Sequence, residues 1–216
     1  MFLKTTFRDD PNIGLYGFAT DKYAFFGSSP ERKVKETLGV KIITSTILHT
    51  DFAGMFVAGN SQGIAVPKIL EEYELPRVEK LFEVLVVNSR YTSLGNLVVM
   101  NDNGIILSPL LRRNKQQFEK FFGLSCAITT IAGINVVGSV ALATNKGCIA
   151  HPKIRQKEVA LIERTLDVTL NIGTVSFGSR FVKAGLIANS NGFLTSPQTS
   201  GPELGRINEA LGFLKG

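Results

Sequence analysis

Few side chains in this 216-residue chain are of types that do covalent chemistry, and their spacing decides what they could do. There are two histidines and two cysteines. His49 stands two residues before Asp51, a spacing at which a carboxylate could orient an imidazole as a general base. Cys148 precedes His151 by three residues, close enough in sequence to suggest a thiolate pair. On a strand, however, positions three apart project to opposite faces. Cys148 and His151 would then not meet, and His151, directly before Pro152, reads as the end of a strand. Metal spacings such as CxxC, and the GxxxxGK[ST], GxSxG, HExxH and acidic Ca²⁺-loop patterns, do not occur. These residues therefore point to a protein that is not an enzyme, with no catalytic residue, no metal and no cofactor.

Charge offers a different chemistry. Lys and Arg number 24 against 18 Asp and Glu, a formal net charge of +6. That balance suits an anionic partner such as RNA, and it equally suits an ordinary basic protein. One cluster stands out, Arg112-Arg113-Asn114-Lys115, at the start of the third of the helices described below. Positive charge there opposes the helix dipole by only a few tenths of a kcal/mol, roughly, at an exposed end. It reads either as a solvated face or as a contact to phosphates. The 15 phenylalanines read as core, since Phe118, Phe121 and Phe122 fall at helical spacing. Both cysteines lie in apolar runs, which indicates reduced, buried thiols in a cytosolic protein. The N-terminus has no apolar signal segment, and the weakly polar stretch 133–143 is too short and too Gly-rich to span a bilayer.

The elements that must position these residues come from a repeat. Asn60-Ser61-Gln62-Gly63, Asn101-Asp102-Asn103-Gly104, Thr144-Asn145-Lys146-Gly147 and Asn189-Ser190-Asn191-Gly192 each join two apolar runs, and Pro67, Pro109, Pro152 and Pro197 end the second run. Asn and Gly tolerate the positive φ of a tight turn, and Pro stops a strand because it cannot donate to the ladder. The spacing predicts β-hairpins, with first strands over 54–59, 95–100, 136–143 and 182–188. A degenerate first copy has strands over 13–19 and 23–26. A helical segment follows each hairpin and ends in an apolar–linker–apolar triplet: Leu38-Gly39-Val40, Phe82-Glu83-Val84, Phe122-Gly123-Leu124, Leu166-Asp167-Val168 and Leu211-Gly212-Phe213. Apolar stripes run along Val159, Ile162 and Leu166 and along Leu204, Ile207, Leu211 and Leu214. A further strand follows each triplet. The reading is a single α/β domain of five pseudosymmetric strand–hairpin–helix repeats, 1–38, 39–82, 83–122, 123–166 and 167–216. One unit cannot cover its own apolar face, so the units close into a ring, with residues 1–7 supplying the strand that the fifth repeat lacks.

Several segments resemble the translation initiation factor 6 family. They are Ser93-Leu94-Gly95-Asn96 with Asn101-Asp102, Val137-Gly138-Ser139 through Asn145-Lys146-Gly147 with His151-Pro152-Lys153, Gly173-Thr174-Val175-Ser176-Phe177-Gly178-Ser179 with Gly201-Pro202-Glu203-Leu204, and Gly59-Asn60 with Gly63 and Val66-Pro67. The resemblance covers nearly the whole chain, and the stop shortly after the fifth helix looks like the archaeal form. It implies the pentein α/β-propeller fold. It implies a protein that binds the large (50S) ribosomal subunit, prevents its association with the small (30S) subunit, and takes part in translation initiation control and large-subunit biogenesis. The partner implied is a ribosomal protein near the sarcin–ricin loop, with rRNA as a further contact, and the protein is a cytoplasmic monomer with no membrane attachment. By the same resemblance the ribosome-binding residues are Asn60, Arg90, Tyr91, Asn96 and Asn101, in the second and third repeats. Each of the three asparagines could instead serve a turn or a strand start. Two other readings stay open: a guanidino-modifying enzyme of the same fold, whose family uses a late Cys although none follows Cys148 here, and a generic RNA-binding module.

Overall fold

The computed structural model describes residues 1–70 and 74–214; residues 71–73 of the second repeat and 215–216 of the fifth lie outside it. Every polar turn read from the sequence closes an antiparallel hairpin, and every hairpin gains a third strand, parallel to its second. The chain opens on β1 (Phe2–Lys4). The first hairpin pairs β2 (Gly17–Ala19) with β3 (Tyr23–Phe26), and α1 (Arg32–Leu38) leads on to β4 (Lys41–Thr44), which lies parallel to β3 with Ile43 opposite Phe25. The second unit repeats this order through α2 (Ala53–Phe56), β5 (Ala58–Gly59), β6 (Ile64–Pro67), α3 (Leu75–Glu79) and β7 (Val84–Val87). The third runs through α4 (Leu94–Leu97), β8 (Val98–Met100), β9 (Gly104–Leu107), α5 (Lys115–Phe122) and β10 (Ser125–Ile128). The fourth contains α6 (Val137–Val140), β11 (Ala141–Ala143), β12 (Cys148–Ala150), α7 (Gln156–Leu166) and β13 (Leu170–Ile172). The fifth hairpin, β14 (Leu186–Ala188) and β15 (Phe193–Thr195), is followed by α8 (Gly201–Ala210).

No strand follows α8 among the described residues, and β1 takes that place. It runs parallel to β15 with Phe2 opposite Phe193 and Leu3 opposite Leu194. The Phe2 and Phe193 rings stack at 5.4 Å. The outcome among the described residues is five three-stranded sheets that do not merge into one hydrogen-bonded barrel. Each sheet crosses a repeat boundary, because the strand that starts one repeat completes the hairpin of the repeat before it. The sheets touch through their first strands: β5 meets β8, β8 meets β11, β11 meets β14, and β14 meets β2, while α2 packs on β2. The core of the first unit, with Phe7, Ile13, Phe26 and Leu38, also takes in Ile187 and Leu194 of the fifth.

The triplets now have a physical meaning. In four of the five the middle residue is the left-handed stop of the helix: φ is 63° at Gly39, 63° at Gly123, 52° at Asp167 and 71° at Gly212. Glu83 is the exception, because α3 already ends at Glu79. The apolar stripes face inward as expected at Ile162, Leu166, Ile207 and Leu211, all buried. Leu214 is 59% exposed, because α8 stops at Ala210 and the stripe ends with it. The first hairpin strands are shorter than the spacing predicts. In three units the run opens instead with one helical turn, α2, α4 or α6, before two or three residues of strand. A short, uniformly apolar run looks alike in either state, so periodicity could not separate them.

Close backbone packing explains these turns. A Cβ on Gly54 would collide with the carbonyl oxygen of Gly14, one on Gly95 with that of Gly54, and one on Gly138 with that of Gly95. The equivalent place in the fifth unit holds Lys183. Its Nζ donates to the carbonyl oxygens of Gly95 at 2.7 Å and Gly54 at 3.2 Å, so one side chain fills the space that the glycines leave. With β2, β5, β8, β11 and β14 it lines a cavity of about 60 Å³. Burial lowers the Lys183 ammonium to about 8. The unfolded chain therefore holds this proton more strongly between pH 8 and 10.5, and stability attributable to Lys183 rises with pH across that window. We expect the stability difference between wild type and Lys183→Met, from urea denaturation, to shift toward wild type by roughly 2 kcal/mol over that range. Parallel pH profiles would show that Lys183 is not held in this way.

Candidate functional site

The hairpins give the molecule two chemically different ends. α4 abuts the start of β8, and the Asn101–Asn103 turn follows its end, so the two lie at opposite ends of a strand. In all five units the polar turn lies at the end of the first hairpin strand opposite to the one by which the chain enters it. One end carries the five polar turns. The other carries the loops that leave β1, β4, β7, β10 and β13.

At the turn end, polar side chains bond each unit to the next. The Tyr23 hydroxyl donates to the Asn60 carbonyl at 2.8 Å, Asn60 Nδ2 to the Asn101 carbonyl at 3.2 Å, and Asn101 Nδ2 to the Thr144 carbonyl at 3.1 Å. Lys146 Nζ then donates to the Ser190 carbonyl at 2.8 Å, and Asn189 Nδ2 to the Thr20 carbonyl at 3.0 Å. Asn101 Nδ2 also donates to the Leu166 carbonyl at 2.8 Å, which caps the end of α7. Above this layer Asn145 Nδ2 bridges the carboxylates of Asp21 and Asp102, each at 2.7 Å, and Ser190 and Ser61 donate to those carboxylates through their hydroxyls and amides. Asn60 and Asn101 are buried and each is hydrogen-bonded through both its carboxamide nitrogen and its carboxamide oxygen, so these groups face turns and not solvent.

The loop end holds the other three candidate residues. Arg90 is exposed, and its guanidinium lies over the Tyr91 ring at 4.8 Å and donates to the Tyr91 hydroxyl at 2.6 Å. Tyr91 is half-buried and packs on the core of the third unit. Asn96 is half-buried on α4. The basic cluster is tied to the same place, since Asn114 Nδ2 donates to the Asn88 carbonyl at 3.1 Å and Gln117 Nε2 to that of Val86 at 2.6 Å. Arg112 and Arg113 are exposed beside it. The structure thus brings Arg90, Tyr91 and Asn96 together at one end and sets Asn60 and Asn101 at the other. Also at the loop end are two exposed aromatics, Phe177 and Phe181, that a reading of every phenylalanine as core had missed. The sequence signal for them was a local run of small and polar residues around each ring, unlike the apolar runs of the strands.

Buried carboxylates shape three of these loops. Glu203 accepts from Gly178 N and the Thr174 hydroxyl at 2.8 Å and from Ser200 N at 2.8 Å. Burial pushes its carboxyl up, but these hydrogen bonds outweigh burial and hold it at about 2. Glu158, bonded to Thr130, Ala132 and Arg155, is likewise lowered by hydrogen bonds that outweigh burial.

The groups that suggested covalent chemistry are held otherwise. Cys148 is buried and its thiol is pushed up to about 12, first by burial and then by Glu163, so it is protonated at neutral pH. His151 Nδ1 accepts from the Lys153 amide at 3.0 Å, and no hydrogen bond joins His151 to Cys148 among the described residues. Nor do the described residues contain a group of three or more His, Cys, Asp or Glu placed to hold a metal. No described helix is long and apolar enough to cross a membrane.

Comparison with known proteins gives a consistent answer. The eIF-6 family model matches residues 2–210. Translation initiation factor 6 of Pyrococcus horikoshii is 32% identical over 96% of this chain and 97% of that protein. The same-named protein of Methanocaldococcus jannaschii is 32% identical over 99% of both chains, and that of Saccharolobus islandicus 35% identical over 93% of this chain and 94% of its own length.

Two stability measurements test these assignments. Asn101→Ala removes the donor to the Thr144 carbonyl, the shorter of two donors to the Leu166 carbonyl and the acceptor for the Asn103 and Gly104 amides. It is expected to cost about 2–3 kcal/mol in urea denaturation, whereas Arg90→Ala stays within about 0.5 kcal/mol of wild type. An Asn101→Ala protein as stable as wild type would show that the turn network is not what joins the units. Glu203 is held below its ordinary value, so its contribution is complete above about pH 4.5 and is lost as pH falls toward 2. Glu203→Gln should therefore lower stability at pH 7 by on the order of 2–3 kcal/mol and converge with wild type near pH 2. A constant difference across that range would contradict the assignment.

Proposed function

This chain belongs to the eIF-6 family, and from that premise we propose that it is a translation initiation factor that binds the large ribosomal subunit and keeps the small subunit from joining it. The observation that carries the proposal is the family match over residues 2–210, supported by relatives of nearly equal length that are named translation initiation factor 6. The fold reading that accompanies it is a closed pentein ring of the five repeats, a single domain. Its support is the β1–β15 pairing, the chain of side-chain hydrogen bonds from turn to turn, and the shared cavity lined by all five first strands.

The mechanism in this proposal is steric. A protein whose units are locked to one another loses little ordering entropy on docking. Seated on the face that the other subunit must bury, it excludes that subunit by mass action, and no covalent step is needed. We assign docking to the loop end of the third repeat. Arg90, Tyr91 and Asn96 make the direct contacts, with Arg112 and Arg113 available to rRNA phosphates beside a ribosomal protein near the sarcin–ricin loop. An exposed arginine stacked on a half-buried tyrosine that is anchored in the core is the kind of group that concentrates binding energy. Asn60 and Asn101 act from the opposite end, by fixing the frame that presents those groups. The protein works in the cytoplasm as a monomer in this reading.

Sedimentation of ribosomal subunits through sucrose gradients tests it. Added protein should co-migrate with large subunits and deplete joined ribosomes. The Arg90→Ala, Tyr91→Ala double variant should remain folded and bind about 100-fold more weakly. Protein that neither co-migrates nor reduces joining would refute the function. Equal binding by the variant would refute the docking site alone.

A further inference from the structure

Three units place a glutamate four residues before the first fully buried apolar anchor of their helix: Glu74 before Val78, Glu158 before Ile162 and Glu203 before Ile207. In each the carboxylate enters the loop that leaves the outer strand of the same repeat. Glu158 accepts from the Thr130 hydroxyl at 2.8 Å and the Ala132 amide at 2.9 Å. Glu203 accepts from the Thr174 hydroxyl and the Gly178 amide at 2.8 Å and the Phe177 amide at 3.2 Å. Glu74 does so more loosely, from the His49 amide at 3.3 Å and the Thr46 hydroxyl at 3.5 Å. The receiving loops share consecutive residues of positive φ, Leu48 and His49, Ala132 and Gly133, and Ser176 to Gly178, which turn successive amides toward one acceptor.

The first repeat keeps this loop and lacks the glutamate. Thr6 precedes the Phe7–Asp10 bridge as Thr46 and Thr130 precede the Ile47–Thr50 and Ile131–Ile134 bridges. Arg8 and Asp9 have φ of 51° and 62°. The helix anchor is Val34, and four residues before it stands Pro30. Among the described residues the Thr6 hydroxyl and the Arg8 and Asp9 amides donate no hydrogen bond. A cavity of about 330 Å³ opens at this place, lined by Thr5, Thr6, Arg8, Ser28, Ser29 and Pro30 among others. Glu31 borders it too, but it sits one residue further along, is exposed, and caps no amide of α1.

We propose that the first-repeat loop is a receptor for a carboxylate supplied from outside the chain, an Asp or Glu side chain of a protein partner. The class of ligand follows from the sister loops, in which the equivalent threonine hydroxyl and at least one amide of the left-handed turn hold a carboxylate. The source follows from the cavity, which is larger than a carboxylate needs and admits the methylene stem that Glu158 and Glu203 bring with them. Arg8 stands exposed at its rim, already paired with Asp51, and adds a cation at the mouth. The inference stands apart from the ribosome reading and is tested on the isolated full-length protein.

Backbone-amide NMR of the full chain, titrated with acetyl-Ala-Glu-Ala-amide, its Gln counterpart and inorganic phosphate, decides it. The Glu peptide should move the Arg8 and Asp9 amides saturably, and the Gln peptide should act at least about tenfold more weakly. Pro30→Glu should move the same amides with nothing added, abolish the response and raise the melting temperature. Thr6→Val should weaken the response about tenfold, whether or not the Pro30 variant folds. The proposal is overturned if no titrant acts, if the two peptides act equally, or if phosphate alone does. It is also overturned if Glu31→Gln moves those amides without ligand, since Glu31 would then already fill the loop.

Discussion

Each three-stranded sheet in this molecule is finished by a strand from the next segment of chain, and this constraint organises everything else. A hairpin of two short strands cannot hold itself together in water, and its apolar face needs a neighbour. β4, β7, β10 and β13 complete the hairpins before them, and β1 completes the last. The first and fifth units consequently share a core, in which Ile187 and Leu194 pack with Phe7 and Phe26. No unit is separable, and a disturbance at either terminus is felt by the other. Close backbone approach at Gly14, Gly54, Gly95 and Gly138 adds a second layer of the same constraint, with Lys183 standing in the fifth unit where the other four have glycine.

The two ends divide the labour. At the turn end the asparagines and aspartates are spent on one another and on neighbouring carbonyls, so that end is saturated and stiff. At the loop end the chain leaves the sheets, and groups appear that the fold does not consume: Arg90 stacked on Tyr91, Arg112 and Arg113, Phe177 and Phe181. Buried glutamates keep several of these loops in strained left-handed conformations, which lets flexible-looking segments present fixed surfaces.

Much of this was legible in the sequence. The turns at Asn60, Asn101, Thr144 and Asn189 and the triplets at helix ends carry strong local chemistry, so hairpins, helices and the pairing of the N-terminal strand with the fifth unit could be read directly. The single helical turns α2, α4 and α6 could not, because they depend on carbonyls from other units pressing against glycines. The same limit applied to the candidate site. Asn60 and Asn101 share residue type and turn position with groups that bind partners, and only their long-range bonds show that they are engaged within the fold. Arg90 and Tyr91, adjacent in a loop, needed no distant partner to be recognised. The glutamate-held loops were missed, since the link between Glu203 and Gly178 is a tertiary one.

The central claim is that the loop end of the third repeat meets the large ribosomal subunit. An electron cryomicroscopy map of that subunit with the protein bound tests it most directly. The account requires Arg90, Tyr91 and Asn96 at the contact, with the turn end, and Asn145 on it, facing solvent. A map in which the turns around Asn60, Asn101 and Asn145 face the ribosome, while Arg90 stands free, would contradict it.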